Sequence, residues 1–456
     1  MLAKKITENE KNQGDLFRVM LRDVVDRKHP LVILANSINW DFIEKKLAPL
    51  FCTNNGRPAL AVRMITGLLY LKNAYNLGDE ALLENWLENP YWQYFTGGVL
   101  FEHEIPFDSS NMTNWRKRIG EEGIEELLKE IISTAIRLGF IKIPELKKVN
   151  VDTTVQEKNI RFPTDARLYD RLRERLVKEA KCTGIDLRQS YERVAKKALH
   201  KQSSYARANQ FKKARKQTKK LKICLGRVSR DIRRKMNTPR PILEKLLTLS
   251  DKVLSQERNS KNKIYSIHET EVECISKGKP HKKYEFGCKV GFVTTAASNW
   301  ILGAKAFHGN PYDGHTLNAS IEQAHRITGI ELEQAICDMG YRKHDYEGKC
   351  NVQIVNRYRK KIPRAIRKLW KRRSAIEPVI GHVKNDNRMN CNRLKGKLGD
   401  KVNAILSACG FNFRKLLRAI ALFFVFVLKM PNFLFLAEEK PQKNYLLLFG
   451  MIIFLQ

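Results

Sequence analysis

Three acidic residues far apart in the chain, Asp152, Asp338 and Glu377, are the groups whose types and settings point to chemistry. Asp152 lies in the alternating run Lys147 to Val155 (KKVNVDTTV), Asp338 closes the apolar stretch Ala335 to Cys337, and Glu377 falls within WKRRSAIEPVIGHVK, which starts at Trp370. Carboxylates brought together repel one another, and a hard divalent cation such as Mg²⁺ relieves that repulsion while leaving coordination sites for phosphate and water. Two such ions about 4 Å apart, with Mn²⁺ as a substitute, would activate a water or a 3′-hydroxyl and stabilise the leaving oxygen of an in-line phosphoryl displacement. In one continuous helix Trp370, Arg373, Glu377 and Lys384 share a face, so the third carboxylate is flanked by cations. An ordinary surface ladder of charges four residues apart accounts equally well for Arg373 and Glu377. Pro378 removes a backbone hydrogen bond and kinks or restarts the helix there.

The elements that must position these groups read as a mixed α/β pattern. Lys147 to Val155 has a period of two, with Asp152 on the same face as Asn150 and Thr154, and is expected to be a strand. Tyr284 to Phe292 and Trp300 to Phe307 flank a Ser298-Asn299 turn and read as a hairpin. Ile264 to Ile275 is expected to add a strand, Thr316 to Ile327 a helix, and Ala335 to Cys337 and Val352 to Val355 two short strands. Before them, Leu60, Met64, Leu68 and Leu71 recur at helical spacing and Gly78-Asp79 restarts a second helix. Asp108 to Ser110 then caps a segment carrying Trp115, Arg116, Lys117 and Arg118, which reads either as a helix-turn-helix-like DNA contact or as a core-packed helix with a solvated basic face.

With 456 residues the chain has room for two or three domains. Its 84 Lys and Arg stand against 48 Asp and Glu, a formal charge of +36 that repels itself unless a polyanion neutralises it, so nucleic acid is the expected partner. A hydrophobic content of 43% rules out a wholly disordered basic tail. The charge is concentrated between residues 162 and 263, where seventeen cations from Lys196 to Arg240 oppose the single acid Asp231. A helical hairpin gripping phosphates fits this pattern better than a merely solvated insert.

The nine cysteines lack CxxC pairs and zinc spacing, which implies free thiols in a reducing compartment. The polar N-terminus lacks a secretory core, so the cytosol is expected, and the apolar stretches Ala419 to Leu428 and Tyr445 to Leu455 are each too short to span a bilayer. Asp313 and His315 in Pro311 to Leu317 read as a turn with a helix cap, and His268, Glu269, Glu271 and Glu273 as a solvated strand face. The sequence contains no GxxxxGK[ST], GxGxxG or HExxH, which argues against ATP-fuelled, dinucleotide-dependent and zincin chemistry.

Taken in order, these residues resemble DDE transposases of the IS5 group, within the wider IS4-like family of bacterial insertion sequences. The segment RPALAVRMITGLLYLKNAYNLGDEALLENWLENPYWQYFTG is similar to that group's helical N-terminal domain, VDTTV to its first-aspartate strand and CDMGY to its second. Trp370, Arg373, Glu377 and Lys384 match the spacing of its Y-(2)-R-(3)-E-(6)-K signature, with Trp370 in place of Tyr; stacking survives that exchange and a phenolic hydrogen bond does not. The resemblance, which covers roughly Leu50 to Leu417, implies an RNase H-like core over 146–161 and 264–418, a helical DNA-binding and assembly domain over 1–145, a basic helical insertion over 162–263 and an apolar tail over 419–456. It implies Asp152, Asp338 and Glu377 as the metal triad for two Mg²⁺ (or Mn²⁺) ions, and Trp370, Arg373 and Lys384 as contacts to the transposon-end DNA. The expected activity is cleavage at terminal inverted repeats and transfer of the 3′-hydroxyls into target DNA, by a homo-oligomer, at least a dimer, in the cytoplasm at the nucleoid and without a membrane. A nuclease that cuts without joining, and a catalytically inactive DNA-binding descendant, are the alternatives.

Overall fold

In a computed structural model, residues 19–51, 60–236, 238, 240–257, 259–278, 282–356 and 363–428 are described. The chain divides into two compact units, Met1–Glu157 with Lys289–Gln456, and Lys158–Cys288. After a single helical turn at Leu21–Val24, the first unit has helices α1 (Pro30–Ser37), α2 (Trp40–Leu47), α3 (Val62–Ala74), α4 (Asp79–Glu88), α5 (Pro90–Phe95) and α6 (Ser110–Arg137). Their starts are set by local chemistry. The Asn39 side chain accepts the Phe42 N–H, and Asn89 accepts those of Tyr91 and Trp92 behind Pro90, whose fixed φ suits a first helical position. Gly120, at φ 68°, kinks α6. Strand β1 (Lys148–Glu157) follows, two residues longer at its end than the alternation indicates.

The second unit holds α7 (Asp165–Cys182), α8 (Glu192–Arg207), α9 (Phe211–Lys235), α10 (Pro241–Ser255) and the short strand β2 (Glu273–Ile275). It has a core of its own, in which Leu172 and Leu176 of α7 meet Leu221, Leu225 and Val228 of α9 and Leu243 and Leu247 of α10. In α9 the buried positions Ala214, Leu221, Leu225, Val228 and Ile232 follow helical spacing, and the cations between them are exposed apart from the half-buried Lys222. The expected strand over Ile264 to Ile275 shrinks to β2. The acids before it are not a solvated face: Glu269 and Glu271 pair with the buried Lys158 at 3.2 and 3.4 Å. Burial, and then the hydrogen bond with Glu269, raises the Glu271 pKa.

Strand β3 (Glu285–Thr295) pairs antiparallel with β2 through its first residues and then continues into the first unit. There it joins β4 (Ile301–Phe307), and after α11 (Leu317–Thr328) come β5 (Gln334–Cys337), β6 (Asn351–Ile354), α12 (Arg364–Arg373), α13 (Ile376–Asp386) and α14 (Gly396–Leu428). The first unit's sheet has the order β4-β3-β1-β5-β6, with β3/β4 antiparallel and β1/β5 and β5/β6 parallel. The single helix expected from Trp370 to Lys384 is two. Pro378 falls in the first turn of α13, where its missing N–H costs no hydrogen bond, so the chain breaks between Arg373 and Ile376 instead of kinking.

Helix α14 organises the first unit, packing against α1, α3, α6 and β4. Phe413 stacks on Tyr70 of α3 at 5.7 Å and meets Phe95 of α5 edge-on at 5.3 Å. Buried Asn412 donates to the Ile301 carbonyl at 2.8 Å and accepts its N–H at 3.1 Å, closing a backbone edge of β4 with a side chain. The apolar stretch Ala419 to Leu428 is the end of this helix, while 429–456 lie outside the described residues. Among the described residues no helix is long and apolar enough to cross a membrane, and the described cysteines are all free. On α6, Trp115 and Arg116 point inward at 8% and 4% exposure, so the expected basic DNA-contacting turn is reduced to Lys117 and Arg118.

Gly410 lets α14 approach α3: an added Cβ would lie 2.6 Å from the carbonyl carbon and oxygen of Asn73. Gly410→Ala is expected to lose about 1–3 kcal/mol by overpacking. Gly381→Ala, in α13 with nothing within 4 Å, is expected to gain about 0.5–1 kcal/mol from helix propensity. Thermal unfolding of the two variants checks the contrast; a Gly410→Ala protein melting at or above wild type would contradict the close packing.

Candidate active site

Asp152 sits in the middle of β1 and Asp338 just past the end of β5. The parallel register pairs Lys148 with Gln334, Val149 with Ala335 and Asn150 with Ile336. Continued by two residues, it brings Asp152 level with Asp338, and because side chains alternate along a strand both carboxylates leave the sheet on one face. The backbone N–H of Thr153 donates to Asp152 Oδ1 at 2.7 Å, and that of Gly340 to Asp338 Oδ1 at 2.9 Å, fixing both rotamers.

Across these two carboxylates lies Arg373, the last residue of α12, with its side chain 8% exposed. Its Nη2 reaches Asp152 Oδ2 at 2.9 Å and Asp338 Oδ2 at 3.4 Å, and its Nη1 reaches Glu377 Oε1 at 3.5 Å. One guanidinium thus gathers all three acids singled out from the sequence. Exposure rises outward, from 16% for the Asp152 side chain to 38% for Asp338 and 58% for Glu377. The helix end that carries Arg373 is anchored from the sheet: buried Asn150 donates to the Arg372 carbonyl at 3.2 Å, and Arg372 Nε donates to the Ala296 carbonyl at 3.1 Å.

A fourth carboxylate, which the sequence presents as part of a helix-capping turn, stands beside this group. Asp313 Oδ1 accepts the Thr153 hydroxyl at 2.8 Å and pairs with Lys289 Nζ at 2.9 Å, while Lys289 also donates to the Pro311 carbonyl at 2.5 Å. A Cβ built on Gly340 would lie 3.0 Å from Asp338 Oδ1 and 3.4 Å from Asp313 Oδ2, so the two acids face each other across a glycine with no side chain to separate them. Below them Tyr341 is fully buried, and its pKa is raised by burial first and then by Cys337, Asp152 and Asp313. His315 is exposed, edge-on to Tyr312 at 5.6 Å. The sequence signal for Asp313 was only a short polar turn before a helix, which is common and carries no direction.

The outer residues of the signature are less tightly gathered. Lys384 lies seven residues beyond Glu377 on α13, about 10 Å along the axis. Trp370 is half-buried, and its buried indole N–H has no hydrogen-bond partner among the described residues. Among the described residues no three His, Cys, Asp or Glu side chains stand ready to hold a single ion, because Arg373 lies between the acids. The donor set of Asp152, Asp338 and Glu377 is all oxygen and anionic, which fits a hard divalent cation better than a soft one.

Residues 19–118 match the family described as Transposase domain (DUF772), and residues 251–413 match the family described as Transposase DDE domain. A protein of Rhizobium meliloti described as "Uncharacterized protein ORF8 in nfe locus" is 48% identical over 199 residues, 44% of this chain and 96% of that protein. No solved structure matches the chain.

Removing the guanidinium would leave Asp152 half-desolvated and facing other carboxylates. Arg373→Gln is expected to cost about 2 kcal/mol, counting the Asp152 bond in full and the more hydrated Asp338 and Glu377 contacts hardly at all. Chemical denaturation of the variant at neutral pH measures this, and an unchanged stability would show that the acids do not depend on Arg373.

Proposed function

Because the chain belongs to the insertion-sequence transposases with a DDE domain, enzymes that rearrange DNA with divalent metal, we propose that Asp152, Asp338 and Glu377 are its catalytic acids and that it cuts the ends of its element and joins them to target DNA. The observation that carries this reading is the convergence of all three carboxylates on the single guanidinium of Arg373. Mixed strand order, with a parallel β1/β5/β6 set beside an antiparallel β3/β4 hairpin, supports an RNase H-like core.

On this reading Asp152, Asp338 and Glu377 would hold Mg²⁺ or Mn²⁺. When bound, the ions supply Lewis acidity for the attacking water or 3′-hydroxyl and charge stabilisation for the leaving oxygen. The protein's own part is placement. β1 and β5 set Asp152 and Asp338 side by side, while Glu377, more exposed and on a helix, closes the site from the solvent side. Arg373 neutralises the acids when no cation does, and its charge is then at hand for a phosphate of the DNA. Asp313, tied to Thr153 and Lys289, keeps the strand carrying Asp152 in register with Asp338. Lys384 and Trp370 extend the DNA contact along α12 and α13. The exposed cations of α8 and α9 supply sequence-independent attraction for the duplex, and two element ends held together require at least a dimer, acting at the nucleoid.

An Mg²⁺-dependent assay on duplexes carrying the element's ends tests the proposal. Asp152→Asn, Asp338→Asn and Glu377→Gln are each expected to cut cleavage and joining by about 100-fold or more, since even a supporting residue near a metal costs about 10–100-fold. Asp313→Asn is expected to raise the Mg²⁺ concentration needed for half-maximal rate by about tenfold. Nicks without joined products would favour a nuclease, and cleavage undiminished in all three acid variants would end the assignment.

A further inference from the structure

Away from the carboxylates, the first unit contains a cavity of about 450 Å³ whose walls come from both matched segments. One wall is a buried charge cluster. Arg116 makes a forked pair with Asp79 at 2.9 and 2.8 Å, and Lys72 bonds the same carboxylate. Lys72 and Arg116 are 6% and 4% exposed, so two desolvated cations share one acid and a full positive charge is left over. Burial, and then the nearness of Arg116, pushes the Lys72 pKa down to about 8. The opposite wall brings two more cations. Arg388 donates to the Asn76 carbonyl at 3.1 Å and has no ion pair among the described residues, and Arg393 is exposed and likewise without one. Ser109 and Ser110, at the start of the long helix α6, line the same space. Among the described residues that line the cavity, Asp79 and the exposed Glu80 are the acids set against four cations.

Leaving such an excess uncompensated around a cavity is costly, and an anion with several acceptor oxygens removes the cost. We propose that this cavity is a phosphate-binding site that holds a backbone phosphate of DNA, with Arg388 and Arg393 as its direct donors and the Lys72–Asp79–Arg116 cluster as the buried source of its positive field. It rests on the reading that this chain acts on DNA, and it adds to that reading a contact point where the N-terminal helices and the segment following α13 engage one phosphate together. Such a contact gives affinity and register without sequence preference.

Two measurements on the full chain test it. Inorganic phosphate is expected to raise the thermal midpoint above that in chloride of equal ionic strength, and Arg393→Gln is expected to abolish the rise while Lys397→Gln, in the first turn of α14 and outside the cavity, keeps it. In DNA titrations, Arg393→Gln is expected to weaken binding about tenfold on two unrelated duplexes alike and to flatten the slope of log affinity against log salt by about one, with Arg393→Lys restoring the slope. A variant with the wild-type slope and the wild-type phosphate response would overturn the site. A phosphate response that depends on Arg393, with an unchanged DNA slope, would overturn the assignment to DNA. Cleavage is a separate readout, so a failure of the catalytic reading shows there and leaves these binding results to stand or fall by themselves.

Discussion

Like charges cannot be held together in a protein without a counter-charge among them, and the geometry of the first unit follows from how it meets that constraint. Asp152, Asp338 and Glu377 share the guanidinium of Arg373, a planar group with donors enough for several carboxylates at once. A lysine would offer one compact charge and could not reach three acids in the same way. The position of Arg373 is therefore controlled as closely as that of the acids. Asn150 and Arg372 tie the end of α12 to the sheet, and the chain breaks immediately afterwards, so that Glu377 begins a new helix while staying within reach.

That arrangement needs a stiff support, and α14 provides it. Aromatic contacts through Phe413, the double hydrogen bond of Asn412 to β4 and the backbone approach at Gly410 bind the sheet to the N-terminal helices. At the far end of β1, Gln156 donates to the Asp400 carbonyl at 3.0 Å and accepts from Asn403 at 2.9 Å. The strand that carries Asp152 is thus held by polar bonds as well as by packing. Polar bonds of this kind have direction, and they resist a slip in register that hydrophobic contacts alone would tolerate.

Charge is used in two opposite ways. Apart from the Lys72–Asp79–Arg116 cluster, buried charge is paired, as Lys158 is with Glu269 and Glu271 and Arg173 with Asp170 at 2.8 Å. On α8 and along α9 as far as Arg230 most cations face solvent over an apolar core, while Arg233, Arg234 and Lys235 at the end of α9 pair with Asp251 and Asp231. Buried pairs add little net stability but penalise misplacement, whereas an unpaired basic surface contributes to association with polyanions and nothing to the fold.

Much of this was legible from residue order alone. Periodicity of two located β1 and the β3/β4 hairpin, and helical spacing located α3 and α4 and marked the second unit as helical without placing its four helices, because binary patterning reports which face an element buries. Residue type and spacing also picked out the three acids and Arg373. Periodicity failed where burial was two-sided or short, as at Ile264 to Ile275; Pro378 signalled a kink or restart of the helix, but not that the break would fall ahead of it, between Arg373 and Ile376. Charge alone misread Arg116, Glu269 and Glu271 as surface residues, since a buried ion pair has the same composition as an exposed one. Asp313 shows the division most clearly. Its type and its turn were visible in the sequence, but its place opposite Asp338 depends on the parallel register of β1 and β5, on the turn from β4 into α11 and on the absence of a side chain at Gly340. Local patterns determine what each segment is, while distances between segments far apart in the chain are decided only when the whole core packs, because no interaction within one segment carries that information.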